Sequence, residues 1–160
     1  MTESERILDE LRRAWDGDPW HGSPVREVLA GVTAAEAAAR PLPRAHSIWE
    51  LVLHLTAWTR EVTRRVRTGV SREPEEGDWP PVGDTGEAAW RAALAALEEA
   101  NQELFAAVAG LRDGQVDEVL GEARDRPLGS GVPYGVMLHG LAQHHAYHAG
   151  QIALLRKGLG

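Results

Sequence analysis

Four of the seven histidines, His139, His144, His145 and His148, fall within one ten-residue stretch. Imidazole is the commonest protein metal ligand and the side chain that titrates nearest neutral pH. On a helix turning about 100° per residue, His144 and His148 stand roughly 40° apart, one turn above the other. Two imidazoles can then face one point. Met137, Leu141, Ile152 and Leu155 project to the same side, so the pair is expected to face a core. His139 points roughly the opposite way, toward the surface, and His145 sits on the flank of the apolar stripe. An inward pair has two readings: core histidines satisfied by backbone or carboxylate hydrogen bonds, or metal ligands. A third imidazole bears on the choice, because three converging nitrogens match a divalent ion with open positions. His54 is the candidate, mid-helix between Leu51 and Trp58 and at the edge of its apolar stripe. The spacing alone does not make the two helices neighbours. His46 and His21 read as end-packing or solvent residues.

Other chemistries find less support. The chain has 160 residues and no cysteine, which excludes a thiolate zinc site, an iron–sulfur cluster, a disulfide framework and a cysteine nucleophile. Any metal must be held by nitrogen and oxygen. Gly129, Gly131 and Gly135 lack the spacing and the lysine of a phosphate-binding loop. There is no Gly-x-Ser-x-Gly elbow, and the Glu-x-x-His pairs of a di-iron bundle are missing. Glu61, two turns from His54, reads either as an outer-shell partner or fourth ligand, or as a solvated carboxylate near Arg64 and Arg65. Trp58, Trp20 and Trp79 read as walls of an apolar pocket or as plain core and lid packing. The net charge is −7 without a run of lysine or arginine, so nucleic-acid binding is not expected. No apolar stretch approaches the roughly 20 residues of a membrane span, and a soluble cytoplasmic protein is expected.

These histidines need elements to position them, and the periodicity is helical wherever it is clear. The first helix opens on a Thr2/Glu5 capping box and closes at Asp16-Gly17-Asp18-Pro19. Two minor helical turns follow, one capped by Ser23 with Pro24 at its first position and one started by Thr33 and Glu36. The second long helix is capped by Ser47 with Glu50 and runs to about Thr68, where Gly69 stops it. Residues 69–84, rich in Gly, Pro and acid, suit a crossover to the far end of a bundle. A third helix, capped by Thr85, spans about 86–109. An irregular stretch at 110–132 leads to a fourth helix from about Pro133 to Lys157. The expected fold is all-α, one domain over 1–160, a four-helix bundle with a long crossover between helices two and three. That crossover should make helices two and three run in the same direction and bring helices two and four together at the histidines.

The stretch HSIWELVLHLTAWTREV (46–62), with HGLAQHHAYHAGQIALLRKGL (139–159) and the Asp-Trp-Pro of residues 78–80, resembles the DinB/YfiT-like superfamily (DinB family), a group regarded as metalloenzymes. Its pattern is one His in the middle of helix two, then His-x-x-x-His, a small residue, Gly and Gln in helix four. The resemblance implies His54, His144 and His148 as ligands of one divalent transition metal (Zn, Ni or Fe), with Gly150 and Gln151 completing the motif. Trp58, Glu61 and Gln151 become candidates for outer-shell or pocket residues, while His145 is not a family ligand. Characterised relatives include S-transferases that use a low-molecular-weight thiol, bacillithiol or mycothiol, and a mycothiol-dependent maleylpyruvate isomerase. The resemblance implies a metal-dependent thiol S-transferase acting on a small-molecule electrophile. A second copy of the chain, in a homodimer, is the candidate protein partner. The alternatives are a non-catalytic metal-binding bundle, structural or sensing, and a metal-dependent hydrolase.

Overall fold

The computed structural model describes residues 1–121 and 131–160. Part of the irregular stretch at 110–132, including Gly129, therefore lies outside the described residues. The described chain is all-α with a minimal sheet. Its helices are α1 (Glu3–Asp16), α2 (Val25–Leu29), α3 (Ala34–Ala38), α4 (Ile48–Thr68), α5 (Glu87–Ala109) and α6 (Tyr134–Gly158). Two two-residue strands, β1 (Val119–Leu120) and β2 (Val132–Pro133), pair antiparallel before α6.

Local chemistry sets most of the boundaries. Thr2, Thr33 and Ser47 each accept a hydrogen bond from the backbone of the glutamate three residues on, and that glutamate reaches back to the cap's own N–H. At the far end of α4, Gly69 takes a left-handed conformation, φ 71°, which a glycine adopts without a Cβ penalty. Two expected caps differ. Asp84 accepts from the Gly86 N–H at 2.8 Å, so α5 starts one residue late, with Gly86 at its cap in place of Thr85. Pro24, not Ser23, occupies the cap position of α2, which lacks a side-chain cap.

Packing fixes the relative directions of the long helices. Trp49 lies against Trp90 near the starts of α4 and α5, and Arg67 reaches Glu103 at 3.2 Å further along both. Those two helices run the same way. Tyr134, at the start of α6, lies beside Gly69 at the end of α4, so α6 runs back along α4 and brings its middle to His54. The segment between α4 and α5 returns the chain along α4, pinned by Arg60 to Glu76 and by a turn in which the N–H of Gly77, φ 87°, donates to the Pro74 carbonyl. Leu55, Leu97, Leu104, Leu138 and Ile152 are fully buried in the core between the long helices.

Candidate metal centre

Three ring nitrogens converge where α4 and α6 cross. His54 Nε2 stands 2.9 Å from His144 Nε2, and His148 Nε2 stands 3.0 Å from the same atom. The three residues form the one cluster among the described residues whose side-chain atoms could together hold a metal ion. His54 and His148 are buried and His144 is half-buried.

Neighbours decide which nitrogen of each ring is free. His54 Nδ1–H donates to the Asp78 backbone carbonyl at 2.5 Å, and His148 Nδ1–H donates to Gln151 Oε1 at 2.6 Å. A neutral imidazole carries one N–H, so both rings present a lone pair at Nε2. The outer bond of His54 depends on the crossover, where Asp78 also accepts from Trp58 Nε1 at 2.7 Å. Trp79 stacks flat on His54, ring centres 3.8 Å apart, and on His46 at 3.5 Å on its other face. His144 Nδ1 is buried without a hydrogen-bond partner among the described residues.

Protons are a poor filling for this cluster. Burial holds the His54 pKa below the ordinary histidine value despite the Asp78 bond. Burial lowers His148 likewise, against the pull of Gln151. His144, desolvated and surrounded by the other imidazoles, falls to about 3. At neutral pH the rings are uncharged, and two lone pairs point at a third nitrogen. Ligands on an ion with about 2.0–2.1 Å bonds stand roughly 2.9–3.4 Å apart, so the two short separations fit adjacent ligands of one cation. An all-nitrogen donor set suits zinc, nickel or iron.

Two of the three, His54 and His144, line a cavity of about 400 Å³. Trp58, Val62, Met137 and Leu141 give it apolar walls, and Arg65 lines it as well. This size and lining suit a small organic ligand.

The structure brings His54, His144 and His148 together, bonds Gln151 to His148, sets Trp58 in the cavity wall and stacks His46 on Trp79. Several sequence expectations are corrected. Glu61 is not brought to the histidines and is not solvated. Its buried carboxylate accepts from Arg64 (2.6 and 2.8 Å), Arg65 (2.8 Å) and the Arg72 N–H (2.9 Å). Burial would raise its pKa, but these bonds together hold it below the ordinary value. His145 is not on a flank. It is fully buried, between the Leu141 carbonyl at 3.0 Å and Asn101 Oδ1 of α5 at 2.9 Å, and burial pushes its pKa down to about 4. Trp20 neither walls the pocket nor packs as core, being fully exposed. His139 lies on the outer side of α6, held by Glu10 at 2.6 Å. Sequence reasoning missed Asp78 and Arg65 as site residues.

A family model of the DinB superfamily matches residues 20–152, a span that contains all three histidines and the crossover. The chain belongs to that superfamily. No curated protein and no solved structure matches it.

Proposed function

We propose that this DinB-superfamily chain holds one divalent transition metal on His54, His144 and His148 and works as a thiol S-transferase on small electrophiles. The observation that supports the reading is the pair of outer hydrogen bonds, His54 to the Asp78 carbonyl and His148 to Gln151, which keep two Nε2 lone pairs turned toward His144, beside a cavity that His54 and His144 line. A divalent ion bound there supplies Lewis acidity that lowers the pKa of a thiol at an open position.

The protein's own contributions follow from its geometry. The three imidazoles are neutral, so they leave the charge of a bound cation uncompensated. Trp79 covers one face of His54 and keeps water from that side. Val62, Met137 and Leu141 give an electrophile an apolar seat beside the histidines. With no cysteine in the chain, the sulfur nucleophile must arrive on a small molecule. In conjugation of an aryl halide the carbon–sulfur bond forms, the halide leaves with its electron pair and the thiol proton goes to solvent.

The test pairs metal analysis with conjugation. Protein purified without an affinity tag should carry about one transition metal per chain, and His148→Ala should lose it. Metal-loaded protein should conjugate an aryl halide or epoxide with at least one of bacillithiol, mycothiol, glutathione and coenzyme A, and His54→Ala should not. Equal rates in wild type and His54→Ala would remove the metal from the mechanism. Ester or amide hydrolysis without any thiol would replace the transferase by a hydrolase.

A further inference from the structure

Arg65 is a cation in an unusual place. It lies on α4 three turns beyond His54, is 5% exposed, and lines the same cavity as His54 and His144. Its guanidinium carbon sits 5.6 Å from the Trp58 ring. Arg65 follows His54 by about 16 Å of helix rise, and its guanidinium reaches back over Trp58, which follows His54 by one turn, about 6 Å.

Buried arginine is normally neutralised by a partner, and this one is only half provided for. Arg65 Nε donates to Glu61 Oε1 at 2.8 Å and Nη2 donates to the Arg72 carbonyl at 2.6 Å. Nη1 makes no hydrogen bond among the described residues. Glu61 is already spent, since Arg64 grips both of its oxygens and the Arg72 N–H takes a further lone pair. Two guanidiniums share one carboxylate, so the group keeps a net positive charge. The acid that lines the cavity, Asp78, has a carboxylate oxygen engaged by Trp58 Nε1 at 2.7 Å and 3.4 Å from His54 Nδ1.

We infer that Arg65 is the specificity-determining residue of the cavity, which takes a small ligand with an apolar body and a carboxylate that pairs with the Arg65 guanidinium. The apolar walls hold the body between the two polar ends. The inference deepens the transferase reading and rests on it for what happens at the histidine end. The carboxylate contact itself needs no metal.

The experiment compares 4-phenylbutyrate with its uncharged isostere 4-phenylbutanamide by calorimetric titration, on chelator-stripped and on zinc-loaded protein. A charge-assisted hydrogen bond to the buried Arg65 guanidinium should make the acid bind about 10-fold tighter than the amide. Arg65→Gln should bring that ratio to about one, Arg65→Lys should restore part of it, and Arg67→Gln, at an exposed cation paired with Glu103, should leave it intact. Should Arg65→Gln fail to fold, the 15N spectrum of the wild-type arginine side chains decides, since one guanidinium should shift with the acid and not with the amide. Absence of acid binding, equal affinity for the two ligands, or a ratio that survives in folded Arg65→Gln overturns the inference. Zinc uptake is read in the same samples. Failure to bind zinc with the ratio intact sinks the transferase reading alone, and a ratio of one in zinc-loaded, thiol-conjugating protein sinks this inference alone.

Discussion

Gln151→Ala separates orientation of a ligand from its presence. The Gln151 carbonyl oxygen takes the Nδ1 proton of His148 at 2.6 Å, which fixes the tautomer and the rotation of the ring. Truncation leaves the imidazole in place but free to turn or to carry its proton on Nε2. Loss of such outer partners costs about 10–100-fold in metal affinity, or about 1.4–2.7 kcal/mol. Protonation cannot be the cause of that loss, because the same hydrogen bond is what raises the His148 pKa against burial, and without it the ring is harder still to protonate. The metal-free protein should lose only about 1 kcal/mol, the net value of one hydrogen bond, since Gln151 is half-buried at a surface pocket and water can take its role.

Thermal melts with and without metal read the difference. For a chain of this length 1 kcal/mol moves Tm by about 2–4 °C, so the metal-free melt should fall by that much. With zinc in excess, the lost affinity removes an equal share of the stabilisation by ligand, and Tm should fall by a further 3–10 °C or so. Competition against a chromogenic chelator gives the affinity directly. Gln151→Glu, whose carboxylate also accepts from Nδ1, should bind zinc at least as tightly as wild type. Equal Tm shifts with and without zinc, together with unchanged affinity, would refute the orienting role.

Glu61→Gln should destabilise the protein by about 3–5 kcal/mol, read from urea unfolding, because it leaves the buried Arg65 without its carboxylate. A change under 1 kcal/mol would contradict the described network. Asn101→Leu should cost about 1–3 kcal/mol by stripping the Nε2 partner from fully buried His145, yet change zinc affinity less than two-fold, since His145 faces α5 and not the cluster. The metal-free protein should also lose stability as pH falls. Folded His144 and His145 stay neutral down to about 3 and about 4, whereas the unfolded chain takes up those protons from about 6.5. The unfolded state therefore binds more protons through that window, so the stabilisation is complete above pH 6.5 and drains away below it. A urea midpoint that stays flat from pH 6.5 to 4.5 would contradict the buried, neutral histidines.

Features written in a few consecutive residues were legible. The capping boxes at Thr2, Thr33 and Ser47 are three-residue patterns that close on themselves, and their helices begin where the pattern says. Gln151 stands three residues from His148 on the same helix, so its bond is one a sequence can propose. Thr85 failed because its neighbour Asp84 takes the Gly86 N–H, and the cap position falls to Gly86. His145 failed for a different reason. A helical wheel gives a direction, not what lies there, and α6 buries residues around much of its circumference against α1, α2 and α4. The polar partner that makes a buried His145 tolerable comes from α5.

The crossover is where the sequence said least and the site depends on it most. His54 is locked by a backbone carbonyl, and any residue at position 78 would supply one, so no residue type marks the role. Its function is set by where the Gly77 turn lays the chain over α4, a tertiary fact. The same holds for Glu61, whose spacing left it either an outer-shell partner or fourth ligand or a solvated carboxylate near Arg64 and Arg65, and for Arg65 itself, until the chain folds over them. Once Arg72 places its N–H and carbonyl on that pair, the two side chains are covered on the loop side, while Arg65 still lines the cavity. One length of chain thus orients a histidine, stacks a tryptophan on it and buries an arginine in the wall of the cavity. A perturbation of this crossover should therefore act on metal affinity and on ligand charge preference together, although its backbone contributes no side-chain ligand to either.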